Sequence, residues 1–307
     1  MSFTALGIDV GGTKIAAGLA EFPSGQVLAR SRQPSEASRG GQAVLNDVLA
    51  LARTLAAEAK KLGRSVDVIG VGLCELVDAD GNIRSSNCIR WLDSPVQSTL
   101  SAISPTFVDA DVRAAALAEA LFGAGRNHNS FLYVTIGTGI SCCLMLNGKP
   151  LLGSHGATGT MGSSPISVPC ENCGIIRERT LEEIASGPAL VSRFNAKGGQ
   201  AKNGEAVLAA AASGDAAALQ VIQTAADALG SQLGLLINVL DPEAMVTGGG
   251  LGTSQGLYWD RFVAATRRHI WSPALRDLPI VRATTGADAG WLGAAASAWD
   301  KIKPTVG

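Results

Sequence analysis

The chain has 307 residues, 37 of them glycine, with 5% aromatic residues and a formal net charge of −1. This length suits one large α/β domain or two lobes with ample core. The near-zero charge argues against nucleic acid or an anionic membrane as a general partner. No signal peptide and no apolar run of membrane-spanning length is visible. We therefore expect a cytoplasmic enzyme whose six cysteines are thiols rather than a disulfide framework.

The first part of the chain predicts three antiparallel strands, a helix, a strand and a second helix. TALGIDV is apolar and ends at Asp9, a glycine turn follows, and two more strand-like segments complete a meander. The stretch GGQAVLNDVLALARTLAAEAKKLG has apolar residues at helical spacing and stops at Gly63. VDVIGVGL reads as a buried strand. DVRAAALAEALFGAG reads as a helix opened by Asp111.

The second part of the chain repeats the strand–glycine turn–strand pattern in SFLYVTIGTGISCCLMLNGKP. An irregular loop is predicted from Gly153 to Cys173, and helices dominate from Leu181 to Leu240. AMVTGGGLG predicts a strand that enters a glycine turn, and DAGWLGAAASAW predicts a final helix. A duplicated glycine hairpin favours two similar lobes that close on a nucleotide.

The motif DVGGTK carries the first candidate phosphate site. Gly11 and Gly12 in a tight turn let backbone N–H groups approach phosphate oxygens, while Thr13 and Lys14 add a hydroxyl and a charge. Asp9 could hold a magnesium ion through water. The spacing is not that of a Walker loop. The alternative is an ordinary hairpin turn with an aspartate at its edge.

Two further glycine turns support a nucleotide. TIGTG supplies Thr138 and Gly139 as phosphate-binding candidates, which weakens the ordinary-hairpin interpretation of the first turn. VTGGGLG places Gly248, Gly249 and Gly250 after a strand, where the backbone could lie flat against a planar base. The alternative for this last turn is a simple strand–helix connection.

The combination resembles the actin-like ATPase superfamily and, within it, the ROK family (repressor, open reading frame, kinase). The resemblance covers almost the whole chain, and the matching stretches occur in the family's order: GIDVGGTKIAAGL, AAALAEALFGAG, YVTIGTGIS, NVLDPEAMVTGGGL and DAGWLGAA. Family members are mostly ATP-dependent hexose kinases, alongside sugar-responsive repressors with an N-terminal helix-turn-helix. The first phosphate turn lies within about ten residues of Met1, so we expect no DNA-binding module ahead of it.

This resemblance implies a two-lobed α/β actin-like ATPase (ribonuclease H-like) fold with an ATP cleft between the lobes. We expect a small N-terminal lobe of residues 1–111 plus 286–307 and a large lobe of residues 112–285. ATP and Mg²⁺ are the implied cofactors. A small-molecule polyol is the implied partner, and family members are often dimers, so we expect a homodimer.

Asp111 matches the family's catalytic aspartate. Phosphoryl transfer to an alcohol needs a carboxylate that orients the attacking hydroxyl and takes its proton late. The alternative is that Asp111 only caps its helix. In the family an Asn precedes this aspartate and binds sugar hydroxyls, and Ala110 stands there instead. Asp109 could take over that contact.

A second departure from the family concerns the segment that binds the sugar. The family's G-E-x-G-H segment reads GATGT here, with Ala157 in place of the Glu and Thr160 in place of the His. In the resemblance those two side chains hold sugar hydroxyls, and the His also helps three cysteines to hold zinc.

The stretch CENCGIIRERTLEE stands where the family has its zinc knuckle. Cys170 and Cys173 remain, Thr180 falls where the third cysteine should be, and Glu182 keeps the place of the final Glu. Structural zinc usually takes four Cys or His ligands. His155 and Glu171 could rebuild a site, and a redox pair is a further alternative. We favour a loop that has lost its metal, and expect no zinc.

Part of the acceptor pocket is retained. SSNCIRW resembles the segment in which a family Asn binds the sugar, and Asn87 matches that residue. Glu75 replaces a glycine of the family's Pro-Gly and is a candidate acidic contact, the alternative being a solvated loop carboxylate. An acidic pocket made by Glu75 and Asp109 would suit an amino sugar or another cationic acceptor.

The sequence thus predicts an ATP-dependent phosphotransferase with an alcohol acceptor. We favour an atypical acceptor, an amino sugar or a cyclitol, because the G-E-x-G-H segment is gone. An ordinary hexose kinase such as glucokinase is the first alternative. A non-catalytic sugar-binding protein is the second, against which the retained base and phosphate turns argue.

Overall fold

The computed structural model describes residues 2–91, 94–169 and 173–303. The chain forms two compact units. Unit 1 consists of Met1–Asn127, Met145–Thr158 and Thr284–Gly307, and unit 2 of His128–Leu144 and Gly159–Ala283. The lobe boundaries predicted from the sequence stay a prediction; the helix that begins at Asp111 lies in unit 1.

Strands and helices alternate along most of the chain. The strands are β1 Phe3–Val10, β2 Lys14–Phe22, β3 Gln26–Pro34, β4 Val68–Leu73, β5 Thr106–Ala110, β6 Ser130–Ile136, β7 Ile140–Leu146, β8 Lys149–Pro150, β9 Pro165–Pro169, β10 Ile176–Thr180, β11 Ala244–Gly248 and β12 Ile280–Arg282. The helices are α1 Gly41–Lys61, α2 Val96–Ser101, α3 Asp111–Phe122, α4 Glu182–Ala185, α5 Gly187–Asn195, α6 Gly204–Ala212, α7 Ala216–Leu240, α8 Gly249–Gly252, α9 Leu257–His269, α10 Pro273–Arg276 and α11 Ala289–Ile302.

Unit 1 contains a five-stranded sheet of order β3-β2-β1-β4-β5. The predicted meander is confirmed, because β1, β2 and β3 are successive antiparallel neighbours. β4 and β5 are added in parallel, β4 beside β1 and β5 beside β4. Parallel addition brings the carboxyl ends of β1, β4 and β5 to one edge of the sheet, where Asp9, Cys74 and Asp111 lie.

The first predicted helix is also confirmed. α1 has a continuous apolar face, and it ends just before Gly63, which has a φ of 72°. The face packs with the apolar side chains of β1, β2 and β4 in one hydrophobic cluster. Its buried residues are Val44, Leu45, Val48, Leu51, Ala52, Leu55 and Ala59. This burial at helical spacing explains why the segment is a helix.

On the other face of the sheet, α11 lies directly against the strands. Glycines at the contact positions have no side chain that would keep the helix away from the strands. A Cβ atom on Gly7 of β1 would lie 1.8 Å from the carbonyl oxygen of Trp291, and one on Gly70 of β4 would lie 1.8 Å from that of Ala294. A Cβ atom on Gly293 of α11 would lie 1.7 Å from the carbonyl oxygen of Ala114 in α3. Sheet, α11 and α3 are therefore packed backbone to backbone.

A fully buried carboxylate joins α3 to the segment before α11. Glu119 accepts hydrogen bonds from the backbone N–H groups of Ala124, Thr284 and Thr285, at 2.7 to 3.2 Å, and from the Thr285 hydroxyl. A buried carboxylate with several donors is stable only where those donors are held in place. Glu119 lies in the AAALAEALFGAG stretch that resembles the family, but nothing in the sequence marks its role.

The second five-stranded sheet has the order β12-β11-β6-β7-β8. β11 runs parallel to both β6 and β12. In unit 2 the core is formed largely by α7, whose buried residues include Val221, Ile222, Leu229 and Leu233. The prediction that helices dominate from Leu181 to Leu240 is confirmed.

The predicted irregular loop from Gly153 to Cys173 was wrong in part. β9 lies inside it and forms a two-stranded antiparallel ribbon with β10. The two prolines that suggested a loop, Pro165 and Pro169, stand at the two ends of β9, where proline is tolerated in a strand of a two-stranded ribbon.

Within the described ranges, no single helix is both long enough and apolar enough to cross a membrane. The bent pair α6 and α7 passes that test by length and composition alone. Much of α7 is buried in the unit 2 core.

The close packing of α11 gives a testable prediction about stability. We expect Gly70→Ala to lower the free energy of unfolding by about 3 kcal/mol or more, because the new methyl group would overlap the Ala294 carbonyl. Gly72→Ala in the same strand is the matched control, since its Cβ would meet its nearest atom at 3.5 Å. We expect the control to change stability by less than about 1 kcal/mol in chemical denaturation. Equal losses in both variants would contradict the packing argument.

Candidate active site

The first glycine turn connects β1 to β2 at the carboxyl edge of the unit 1 sheet. The Gly11 N–H donates to the Lys14 carbonyl oxygen at 2.9 Å, which closes the turn. Within the described residues, the N–H groups of Gly12 and Thr13 have no acceptor. A Cβ atom on Gly12 would lie 2.9 Å from the Cys88 sulfur, so a side chain there would require the Cys88 side chain to shift. Two N–H groups in a turn that are available to a ligand suit an anion.

Asp9 is the penultimate residue of β1, beside this turn. Its carboxylate packs against the first turn of α11, because a Cβ atom on Gly290 would lie 2.4 Å from Asp9 Oδ2. Burial raises the pKa of Asp9 to about 6, and the positive charge of Lys14 offsets part of this rise. No hydrogen-bond donor to this carboxylate occurs among the described residues.

Asp111 is placed next to Asp9 by the step from β5 into α3. Burial raises the pKa of Asp111 to about 7, and the negative charge of Asp9 is the second cause. A hydrogen bond of 2.6 Å from the Val112 N–H to Asp111 Oδ1 acts in the opposite direction. The N-cap position of α3 is Ala110, and Asp111 is its first helical residue. Asp111 is therefore not the N-cap residue itself, although its carboxylate accepts from one free N–H of the first helical turn.

Two thiols border the carboxylates. Cys74 follows β4, and its N–H donates to the Val10 carbonyl oxygen at 3.3 Å. A hydrogen bond with Cys88 raises the pKa of the Cys74 thiol well above its usual range, and burial raises it further. The five described cysteines are all thiols.

Glu75 lies next in sequence but is neither a solvated loop carboxylate nor a side chain directed into open space. It is 6% exposed. Its oxygens accept hydrogen bonds from the N–H groups of Asn87, Cys88 and Ile89, at 2.7 to 2.9 Å, and from the Ser85 hydroxyl. These four donors occupy the carboxylate oxygens. The predicted direct contact between Glu75 and an acceptor therefore stays a prediction, and the observed hydrogen bonds do not support it.

Asp109 is similarly engaged. Its Oδ1 accepts from Arg113 Nε at 2.6 Å, and its Oδ2 accepts from the Ser297 hydroxyl at 3.3 Å. Arg113 is buried and also donates to the carbonyl oxygens of Val77 and Gly156. Asp109 is thus the ion-pair partner of a buried arginine. Sequence reasoning had no signal for Arg113.

Asn87 is exposed and lies in a segment without helix or strand. Among the described residues its side chain has no hydrogen-bond partner, so it is available to a ligand. Its backbone is fixed by Glu75.

The stretches that replace the family's sugar-binding segment and the zinc knuckle are only partly described. Gly156, with a φ of 66°, packs on the carbonyl of Val77 in unit 1. Cys173 is exposed, while Cys170 and Glu171 lie outside the described residues. Among the residues described, no three His, Cys, Asp or Glu side chains are placed to hold a metal ion. The expected absence of zinc stays a prediction.

The second glycine turn lies in unit 2, between β6 and β7. The Gly137 N–H donates to the Gly139 carbonyl oxygen at 2.9 Å. Glu182 supports this turn: its Oε2 accepts from the Ile140 N–H at 2.8 Å and would lie 2.7 Å from a Cβ atom on Gly139. Sequence reasoning noted Glu182 as a family position and missed this role. Thr138 lies at the tip of the turn.

The third glycine turn, Gly248 to Gly250, joins β11 to α8. It is thus a strand–helix connection, which was the alternative interpretation of this stretch. A Cβ atom on Gly248 would lie 2.1 Å from the Tyr133 hydroxyl, and Gly249 has a φ of 78° and packs on the carbonyl of Ile136. These two glycines are required by packing. Only Gly250 faces open space, since nothing lies within 4 Å of its Cβ position.

Two solved structures are similar along almost the full length. A ROK hexokinase from Thermus thermophilus has a TM-score of 0.80 and 31% identity, with 98% of this chain and 99% of that chain covered. A ROK family glucokinase from Streptomyces griseus, in complex with glucose and AMPPNP, has a TM-score of 0.81 and 27% identity, with 97% and 99% covered.

A curated relative and a family model agree with these structures. An N-acetylmannosamine kinase from Yersinia pseudotuberculosis is 32% identical over 298 residues, which cover 94% of this chain and 96% of that protein. The model of the ROK family matches residues 5–301. These similarities confirm the predicted actin-like ATPase fold and the predicted class of enzyme, a sugar kinase. The chain belongs to the ROK family.

Proposed function

We propose that this protein transfers the γ-phosphate of ATP to a hydroxyl group of a neutral sugar or sugar-like acceptor. The observation that carries the proposal is the half-buried pair Asp9 and Asp111, whose pKa values are raised by burial, at the carboxyl edge of the unit 1 sheet beside a glycine turn with two available N–H groups. Perturbed carboxylates beside an anion-binding turn are typical of a phosphoryl-transfer site.

Asp111 is the proposed catalytic base. It orients the acceptor hydroxyl and takes its proton late in the transfer. A pKa near 7 suits a group that must accept a proton at neutral pH. Each glycine turn binds phosphate oxygens through its own backbone N–H groups, with Thr13 and Lys14 assisting in unit 1 and Thr138 in unit 2. Gly248 and Gly249 shape the third turn, and Gly250 lies against the adenosine.

Asp9 fits a role toward Mg²⁺. It is a half-buried carboxylate without a donor among the described residues, and it lies beside a second carboxylate, so a divalent cation would compensate both charges. When bound, the ion would neutralise charge on the phosphate groups, and Asp9 would hold it through water. The predicted homodimer and cytoplasmic location stay predictions.

The contacts favour a neutral acceptor over a cationic one. The charge of Glu75 is shared by four donors, and that of Asp109 is matched by Arg113. Neither carboxylate is left to bind an ammonium group. A neutral N-acylated amino sugar or a cyclitol meets this condition, and the similarity to an N-acetylmannosamine kinase supports the former. The similarity to a glucokinase keeps an ordinary hexose kinase as the second candidate.

We expect Asp111→Asn to lower kcat by about 10²- to 10⁴-fold, since it removes the proton acceptor. ATP binding, measured by calorimetry, should be retained. Asp215→Asn is the matched control, because Asp215 is an aspartate at the start of α7 with a capping role only. Wild-type turnover in the Asp111→Asn variant would exclude Asp111 as the base.

The acceptor is identified by ADP release with ATP and Mg²⁺ over glucose, N-acetylmannosamine, glucosamine and inositol. We expect kcat/KM for a neutral acceptor to exceed that for glucosamine by about tenfold or more. A preference for glucosamine would contradict the neutral-acceptor proposal. ATP binding without turnover of any acceptor would favour the non-catalytic alternative.

The raised pKa values also predict a pH dependence of stability. The folded protein binds protons on Asp9 and Asp111 more tightly than the unfolded chain, so stability falls as the pH rises from about 4 to about 7. Asp111→Asn removes one of these groups and should stabilise the protein by up to about 4 kcal/mol above that range. Thermal unfolding in EDTA without nucleotide measures both effects. A lower Tm for the variant than for the wild type at alkaline pH would contradict this assignment.

A further inference from the structure

The segment of residues 85–89, here the acceptor loop, has no helix or strand to hold its backbone. Three of its N–H groups instead donate to one side chain. Asn87 donates to Glu75 Oε2 at 2.9 Å, and Cys88 and Ile89 donate to Oε1 at 2.7 and 2.9 Å. A single carboxylate therefore replaces the strand partner that this stretch lacks.

A fourth donor completes the arrangement. The Ser85 hydroxyl donates to Glu75 Oε2, and the same hydroxyl accepts from the Leu76 N–H at 2.8 Å. Glu75 has no cationic partner among the described residues, and its carboxylate is almost fully buried. An ionised carboxylate offers about four acceptor sites, and all four are used by the loop.

The ends of the acceptor loop are held independently of Glu75. The Arg84 N–H donates to the Leu76 carbonyl oxygen at 2.7 Å, and the Arg90 carbonyl oxygen accepts from Gly41 at 2.9 Å. Ile89 is buried in the unit 1 core. The middle of the loop, which carries the exposed Asn87 and sets Cys88 against Gly12, depends on the carboxylate.

We propose that Glu75 is a positioning residue for acceptor binding: it fixes the acceptor loop so that the Asn87 side chain is presented in one orientation. The inference rests on the proposed function, in which Asn87 binds the acceptor. Glu75 acts through the loop backbone and does not contact the acceptor itself. Its loss should affect binding of the acceptor and leave binding of ATP unchanged.

The test is Glu75→Gln, which keeps the size of the side chain and turns one accepting oxygen into a donating amide. That amide faces N–H donors and cannot accept from them. Asp78→Asn is the matched control. Asp78 also accepts from nearby backbone N–H groups and from an arginine, but its partners are Asp80, Asn82 and Arg84, outside the acceptor loop.

Two measurements are made on each variant. In steady-state kinetics we expect Glu75→Gln to raise the KM for the acceptor about tenfold or more, with the KM for ATP within about twofold of wild type. In native-state hydrogen exchange we expect the amides of Asn87, Cys88 and Ile89 to exchange about tenfold faster or more, with the amides of β4 unchanged. Asp78→Asn should leave both quantities near wild type.

An unchanged acceptor KM together with unchanged exchange in the loop would overturn the proposal. A uniform rise in exchange, with both KM values altered alike, would also overturn it and assign Glu75 to global stability. If wild type turns over no acceptor, the proposed function fails, and exchange alone decides whether Glu75 fixes the loop. Should Glu75→Gln fail to fold, Ser85→Ala removes one donor only and should move both readouts in the same direction.

Discussion

The direct contact of α11 with the unit 1 sheet is the constraint on which the candidate active site depends. Gly7 and Gly70 allow the helix backbone to reach β1 and β4, and Gly293 allows α3 to reach the helix. Since α3 begins with Asp111, and Asp9 packs on the first turn of α11 at Gly290, this packing brings two carboxylates together. Interiors are too densely packed for such contacts to adjust freely, so the carboxylates are held near each other.

Four carboxylates of unit 1 fall into two groups that differ in their hydrogen-bond donors. Glu75 and Glu119 are each surrounded by N–H and hydroxyl donors, and they organise backbone that lacks regular partners. Asp9 and Asp111 have few donors; burial raises the pKa of both, and the negative charge of Asp9 raises the pKa of Asp111 further. A buried carboxylate that is fully hydrogen-bonded stabilises local structure. A buried carboxylate without donors is destabilising unless a bound ligand or cation interacts with its charge. By this difference, Glu75 and Glu119 support the backbone around the site, whereas Asp9 and Asp111 are the candidates for its chemistry.

The acceptor side combines retained and replaced features. The family's sugar-gripping Glu and His have given way to Ala157 and Thr160, while the segment around Asn87 is kept and is now held by Glu75. Asp109, the second candidate acidic contact, balances the buried Arg113. In the proposed pocket, recognition would rely on hydrogen bonds to hydroxyl groups, because Asp109 is paired with Arg113 and the Glu75 oxygens are occupied by backbone and hydroxyl donors. The identity of the acceptor then depends on loop geometry more than on net charge.

Local patterns in the sequence were enough to predict the three-stranded meander, α1, α3, the glycine turns and the family. The elements depend on residue spacing over a few turns or strands, and the family was identified by the resemblance of several motifs in their order; both are visible along the chain. The short strand β9 was missed because its terminal prolines are also typical of loops. The partners of the carboxylates were decided only by tertiary structure. Glu75 binds residues 10 to 14 positions away, and Glu119 binds residues about 165 positions away, through backbone donors that every residue carries. Because a backbone N–H has no sequence signature, no local pattern could distinguish a buried, fully bonded Glu75 from a solvated one.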